Sequence, residues 1–290
     1  MNILYGMNQA IEYLEENMQG DIDFQKAAEF TGYSSAYFQR IFTCIAQITV
    51  VEYVRKRRMT LAAAELKDSN IQILDLAIKY GYHSADAFTK AFRSFHGVTP
   101  SEARNSTTRV NSFSPLRFHI SVEGTTEMKY RMEQRKAMRV IGIQRHFVAP
   151  EDDEHAVDTF WNEVFRNGMY EKLLALCDGQ PHGVHGFMQV VDETHVDYMI
   201  GVFSRHEVID GTSEFIVPAS MWAIFEQKGS IHDTMPILWK QIFDEWLPAL
   251  EVQHAETTEI ECFPYEGDRS SKEFQYEIWI PIKKGGHFYE

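Results

Sequence analysis

The feature that most limits what this chain can become is an internal repeat. The segment SAYFQRIF follows Ser34 and ADAFTKAF follows Ser84, about fifty residues later. Counted from either serine, Phe stands at the fourth and eighth places, with Gln-Arg or Thr-Lys behind the first of them. A Gly-Tyr pair, Gly32-Tyr33 or Gly81-Tyr82, precedes each copy. Glycine closes a helix because it enters left-handed backbone without strain, and serine opens the next by accepting a bond from a free first-turn amide. Two helix-turn-helix units are therefore expected early in the chain.

Phe38, Ile41, Phe42 and Ile45 recur at helical spacing, as do Phe88, Ala91, Phe92 and Phe95, so each stripe faces a core. The opposite faces carry Ala36, Gln39, Arg40 and Thr43 in the first copy and Asp86, Thr89, Lys90 and Arg93 in the second. Short, polar, cation-bearing faces suit the major groove of double-stranded DNA, where Arg pairs with guanine, Gln with adenine, and small groups touch the thymine methyl. A supporting helix is expected before each reader, Phe24 to Phe30 capped by Asp23, and Ile73 to Tyr80. A longer spacer helix is expected from Val51 to Leu66. If rigid, it would let the readers enter successive major grooves, about 34 Å apart.

A net charge of -14 argues against such a role until it is divided. Residues 1–108 hold 11 Lys and Arg against 12 Asp and Glu, leaving 17 against 30 for the remainder. The acid belongs mainly to the second half, and Arg55, Lys56, Arg57 and Arg58 form a basic cluster in the first. A polarised surface holds phosphate despite zero net charge. The 290 residues imply two cores. The start has no signal peptide pattern and no long apolar run occurs, so no membrane partner is expected and the localisation is read as cytoplasmic. Cys44, Cys177 and Cys262 lie far apart and are read as reduced, packed thiols.

These segments carry a resemblance. GYSSAYFQRIF, YVRKRRMTLAAAEL, ILDLAIKYGYHSADAFTKAF and FRSFHGVTPSEAR stand in the order and spacing of the DNA-binding domain of the AraC/XylS family, over residues 7 to 104. The resemblance implies a bacterial transcription regulator. It places Gln39, Arg40, Thr89 and Lys90 at positions that contact DNA, with Arg93 and Arg57 as further candidates, and RNA polymerase as a partner. Gln47 stands where the family has a helix-ending Gly, so the local turn is expected to differ, at a cost of about 1 kcal/mol for a left-handed non-Gly residue. Thr43 and Cys44 replace common basic residues. Asp86 either accepts from a cytosine amine or repels phosphate.

Residues 109–127 are rich in Ser, Thr and Asn and read as a linker, with Leu116, Phe118 and Ile120 alternating as in an extended segment lying on either domain. From 128 to 290 the periodicity changes. Val140 to Ile143 reads as a strand, Val157 to Phe165 as a helix, and His185 to Val190 and Tyr198 to Ser204 as two strands. The pattern recurs: strand-like Phe215 to Phe225 interrupted at Pro218, a helix from Thr234 to Leu247, and strands Ile260 to Phe263 and Phe274 to Ile282. The fold class is thus multi-domain, an all-α double helix-turn-helix domain (1–108) followed by an α+β domain of two βαββ repeats.

Residues 129 to 284 resemble the GyrI-like effector-binding domain, carried by VPASMWAIFEQKGSI, IFDEWLPAL and YEIWIPIKK. The resemblance implies a small-molecule effector, often cationic or amphipathic, and places a binding acid at Glu277. In its strand Glu277 shares a face with Trp279, while Tyr276, Ile278 and Ile280 point the other way. A carboxylate beside a large ring attracts a cation. Trp222, Phe187 and Tyr198 are further candidates for the cleft walls, and the Gly229 turn offers amides to a ligand or simply starts a helix.

Other chemistry is weakly signalled. His182 and His185 lack helical spacing and nearby carboxylates for zinc, and Glu151-Asp152-Asp153-Glu154 lacks the turn glycine of a calcium loop. No nucleophile elbow, Walker loop or dinucleotide motif occurs, so no catalytic residue, metal or cofactor is assigned. The alternatives to ligand control are a C-terminal domain that hydrolyses a reactive small molecule, with Glu277 activating water, or one that binds a protein partner.

Overall fold

A computed structural model describes residues 3–118, 128–148, 155–193, 195–249, 252–264 and 267–284. The acidic run Glu151 to Glu154, Thr194 of the expected turn, and Ile120 of the expected extended segment lie outside the described residues. The chain divides into two compact units, Ile3–His119 and Ile120–Glu290.

The first unit is helical: α1 (Ile3–Glu16), α2 (Phe24–Glu29), α3 (Ser35–Ala46), α4 (Val50–Asp68), α5 (Ile73–Lys79), α6 (Ala85–His96) and the short α7 (Pro100–Ala103). Side-chain caps set its punctuation. Asp23, Ser34, Thr49, Ser84 and Thr99 each accept from an amide in the first turn that follows, and Thr99 with Glu102 completes a capping box. Helices α2–α3 and α5–α6 form the two expected units, with α4 between them. Phe38, Ile41 and Phe42 of α3 are buried, as are Phe88 and Phe92 of α6, the latter with Met59, Ala62, Ala63 and Leu66 of α4.

Gln47 ends α3 at φ 57°, and Gly97 ends α6 at φ 75°. The turn therefore does not differ where the Gly is missing: the same left-handed cap forms, and Gln47 Nε2 donates to the Cys44 carbonyl at 2.6 Å. The side chain offsets part of the backbone cost.

The stretch 110–118 is an extended strap on this unit. Phe113 N donates to Thr60 Oγ1 at 2.9 Å, Leu116 N to the Tyr53 hydroxyl at 3.3 Å, and Phe118 exchanges two 2.9 Å bonds with the Asn8 amide. The Phe118 ring meets Phe42 edge-on. Of the two alternatives the sequence left open, the segment lies on the helical unit.

The second unit is built on β1 (Tyr130–Arg135), β2 (Met138–Val148), α8 (Ala156–Arg166), α9 (Met169–Ala175), β3 (His185–Val190), β4 (His195–Phe203), β5 (Ser213–Val217), β6 (Ser220–Lys228), α10 (Ile231–Gln241), β7 (Val252–His254), β8 (Glu259–Cys262) and β9 (Gln275–Lys284). The sheet order is β1-β6-β9-β8-β3-β4-β2-β5, with β7 paired to β9, and the pairings are antiparallel. The expected strand, helix, strand, strand pattern is present twice. Each half also lends its leading strand to the other: β1 pairs with β6, and β5 pairs with β2. A π-helical turn, Ile242–Trp246, continues α10.

Alternation decides the two faces of the sheet. Ile278 and Tyr276 share a side with Phe225, on which Trp246 packs at 4.7 Å between ring centres. Tyr276 also bonds Thr234 of α10 at 2.9 Å. The other face gathers Trp222, Trp279, Phe187, Phe203 and Ile260 into a buried cluster.

Local strain and burial each have a measurable consequence. Replacing Gln47 by Gly is expected to stabilise the first unit by about 0.5–1 kcal/mol in chemical denaturation, since the left-handed φ is retained at no steric cost. The second concerns His185, fully buried, whose Nδ1 accepts from Phe263 N and whose Nε2 lies 3.1 Å from the Pro181 carbonyl. Burial lowers its pKa from 6.5 to about 4. The unfolded chain takes up the proton first, so stability present above pH 6.5 is lost as pH falls towards 4, by roughly 3 kcal/mol in total. His185→Gln should flatten that part of the stability profile measured between pH 7 and 4; an unchanged slope would place the titration elsewhere.

Candidate reader helices and a candidate ligand cleft

Helical periodicity places Ala36, Gln39, Arg40 and Thr43 on one face of α3, away from its buried Phe38, Ile41 and Phe42. Thr43 is exposed and the other three are partly so. Thr43 Oγ1 back-bonds to the Gln39 carbonyl at 2.9 Å. On α6, Asp86, Thr89, Lys90 and Arg93 come together, lining one shallow depression with Ser94 and Thr99. Asp86, Lys90 and Arg93 are exposed.

The basic cluster of α4 does not belong with them. Arg57 is 6% exposed. Its Nε and Nη2 fork onto Glu15 of α1 at 2.8 and 2.7 Å, and Nη1 donates to the Phe113 carbonyl of the strap. Tyr53 also donates to Glu15, at 2.6 Å, and burial followed by that carboxylate drives the phenol pKa well above its usual range. Arg57 is thus corrected from a DNA candidate to a clamp joining α1, α4 and the strap. Arg58 is likewise turned inward, donating to the carbonyls of Met18 and Gly20 beside Gly81, where any Cβ would strike its guanidinium. Lys56 pairs with Glu52 at 2.9 Å, and Arg55 stands 3.8 Å from the same carboxylate.

In the second unit a cleft of about 1110 Å³ opens at the β1–β6–β9 end of the sheet. Glu277 and Trp279 line it together, as their spacing on β9 predicts. Trp279 Nε1 donates to Glu277 Oε2 at 2.7 Å, so the indole aims the carboxylate. The remaining three candidates do not line it. Trp222 and Phe187 share that face but are buried in the cluster beneath, Trp222 edge-on to Trp279 at 5.9 Å. Tyr198 lies on the opposite, helix-bearing face, accepting from Trp161 Nε1 at 3.0 Å and donating to Glu261 at 2.5 Å. At the Gly229 turn two amides are already used: Gly229 N donates to Phe274 O and Ile231 N to Arg269 O. Both ring nitrogens of His185 are engaged by backbone, whereas His182 faces the cleft.

Sequence reading missed the charges around Glu277. Arg131, Glu133 and Arg135 alternate on β1, and the β1–β6 register puts Arg131 opposite Ile224 and Glu133 opposite Trp222, on the cleft face. Arg131 Nη1 donates to Glu277 Oε1 at 2.7 Å and to Glu226 Oε1 at 3.0 Å, and its Nε donates to Glu133 at 2.8 Å. Arg135 grips Glu133 with two bonds and lays its guanidinium 4.3 Å from the Trp279 ring centre. The two arginines hold the Glu133 carboxyl below the usual range, while burial, then Glu277, pushes the Cys262 thiol up. The period-two alternation of YRMEQR was the available signal, but an alternating charged face reads as solvent-facing until its partner strand is known.

The clamp can be tested apart from any ligand. Arg57→Ala strands Glu15 and the Phe113 carbonyl, and is expected to lower the unfolding free energy of the first unit by about 2–4 kcal/mol. Denaturant titration with the full chain would show this. A loss under 0.5 kcal/mol would mean the fork is solvated in solution.

Residues 128–283 match the GyrI-like small molecule binding domain, and residues 27–106 match a helix-turn-helix domain. The first part of the chain is 33% identical over 105 residues to the HTH-type transcriptional activator AarP of Providencia stuartii, covering 36% of this chain and 78% of that one. It is 37% identical over 95 residues to the regulatory protein SoxS of Salmonella typhimurium, covering 33% of this chain and 89% of that one. Among solved structures, that of SAV2435 bound to tetraphenylphosphonium matches with a TM-score of 0.50 at 19% identity, covering 54% of this chain and 94% of that one. That likeness is one of fold. Among the described residues no helix is long and apolar enough to cross a membrane. The chain belongs to the AraC family of DNA-binding transcription regulators, and through residues 128–283 to the GyrI-like small-molecule-binding family.

Proposed function

We propose that this regulator binds an organic cation in its C-terminal unit and that the bound ligand changes how α3 and α6 engage DNA. The observation that carries the reading is the paired Glu277 and Trp279 lining a cleft in a chain that also holds two reader helices. A carboxylate fixed by an indole N–H supplies charge, and the ring supplies a face, which together suit a flat or aromatic cation. The SAV2435 structure, of similar fold, holds tetraphenylphosphonium, which supports this ligand class and supplies a probe. On the DNA side, Gln39 and Arg40 of α3 and Thr89 and Lys90 of α6 read base edges, while Ala36, Thr43, Asp86 and Arg93 shape the rims of the two contacts. RNA polymerase is the partner through which binding would alter transcription.

Hydrolysis is the weaker reading. A general base has to hold a water within hydrogen-bond reach, and each oxygen of Glu277 already accepts one bond, from Arg131 or from Trp279, so that water would have to share the carboxylate with both donors.

Selection of genomic fragments by the purified protein tests the proposal. A discrete site should be enriched, its enrichment should fall at least tenfold in the Arg40→Ala, Lys90→Ala double variant, and tetraphenylphosphonium should shift the apparent Kd. Enrichment that ignores the cation would remove ligand control, and the absence of any enriched site would remove sequence-specific reading by these helices.

A further inference from the structure

The two places where a cation would gain most in this cleft are already taken by the chain. Arg131 Nη1 sits on Glu277 Oε1 at 2.7 Å, and the Arg135 guanidinium carbon lies 4.3 Å from the centre of the Trp279 ring. One is the ion-pair position and the other the ring-face position. Both side chains come from β1, an edge strand whose backbone, among the described residues, pairs with β6.

We infer that Arg131 and Arg135 are resident competitors, which a cationic ligand must displace from Glu277 and from Trp279, and that they therefore set the cleft's affinity and selectivity. The inference rests on the cation-binding reading above and narrows it. Displacement strands no charge. An Arg131 side chain released from Glu277 keeps Glu226 at 3.0 Å and Glu133 at 2.8 Å, and Arg135 lifted from the indole keeps its two bonds to Glu133. Arg131 is 36% exposed, so water also receives it. Glu277 stays aimed because Trp279 Nε1 still holds its other oxygen.

The competition also selects among cations. A guanidinium is planar, diffuse in charge and weakly hydrated, and it stacks well on aromatic faces. A compact ammonium gives up more hydration on entry and covers less of the indole, so it exchanges for arginine at a loss. A large cation with its charge spread over aromatic rings gains ring contact over the apolar floor of Trp279 and gives up little hydration. The cleft's ligand class is thus the aromatic, charge-delocalised cation rather than the small alkylammonium.

Calorimetric titration of the full chain tests this with tetraphenylphosphonium, its anionic isostere tetraphenylborate, and tetramethylammonium. Arg131→Gln and Arg135→Gln should each bind tetraphenylphosphonium about tenfold more tightly than the parent chain, because the competitor is gone. Tetraphenylborate should gain nothing, tetramethylammonium should bind the parent chain at least tenfold more weakly than tetraphenylphosphonium, and Glu277→Gln should weaken phosphonium binding. Arg131→Lys keeps a cation without the fork and should fall between parent and Gln variant, which serves should the Gln variant fail to fold. If folded arginine variants bind the phosphonium no better than the parent while Glu277→Gln still weakens it, the arginines are wall and not competitor, and the inference fails with the cleft reading intact. If neither the parent nor any folded variant binds it, the cation reading itself fails and takes the inference with it.

Discussion

A charge removed from water needs a partner, and in this chain that requirement decides where the arginines go. Arg57 reaches Glu15 from the middle of α4 and then the carbonyl of Phe113, so one guanidinium ties the first helix, the central helix and the strap. Arg58, one residue on, closes the turn after α1 through two backbone carbonyls. In the second unit Arg269 is caught between Trp161 at 4.2 Å and Phe263 at 4.3 Å, with Phe165 and Tyr170 farther out. Burial lowers its pKa. Arg269 belongs to the loop before β9, so this cage fixes a stretch whose neighbours Asp268 and Ser271 form a wall of the cleft. Arg57, Arg58 and Arg269 therefore hold the frame of their units and are not among the residues lining the candidate surfaces.

The repeat made the first unit legible because helix signals are local. Ser34 and Ser84 cap as their sequence contexts suggest, and the glycines that precede them adopt positive φ, at 73° for Gly32 and 79° for Gly81. Periodicity also told the buried stripe of each reader from its polar face. Arg57 was misplaced because a motif records which residues recur, whereas the side it faces depends on Glu15, forty-two positions earlier in the chain. Gln47 shows the converse: the cap geometry survived the loss of its usual residue, because the helices on either side fix the turn more strongly than one strained φ opposes it.

In the second unit the alternation within β9 sorted Glu277 and Trp279 from Tyr276 and Ile278 correctly. It does not tell which face bears the helices, and Tyr198, in a run that is apolar and buried on both faces, lies on the helix-bearing side of the sheet and not on the cleft side. Nor could it separate a cleft wall from the floor beneath it, which is why Trp222 and Phe187 were grouped with Trp279. The exchange of β1 and β5 between halves was not readable at all. Strand β1 pairs with β6, roughly ninety residues later, and only that pairing reveals that its charged side faces Glu277. Non-local pairing carries the information, and no window along the chain contains it.

The same accounting of charge shapes what the DNA-binding unit has to offer a duplex. Beyond Arg57 and Arg58, Lys79 is spent on Glu65 at 2.7 Å, Lys67 on the Thr108 carbonyl, and Arg104 on the carbonyls of Ser69 and Ile71. Sequence-independent affinity grows with the number of phosphates neutralised, and each such contact deepens the salt dependence. Cations fixed on the unit's own frame are not placed to contact phosphate, which leaves the exposed Lys90 and Arg93 of α6 as candidates for that part of the binding. The net acid of the second unit opposes long-range attraction to DNA. The two candidate readers are capped helices, each with a short polar face, in a unit whose α1, α4 and strap are joined by the Arg57–Glu15 ion pair.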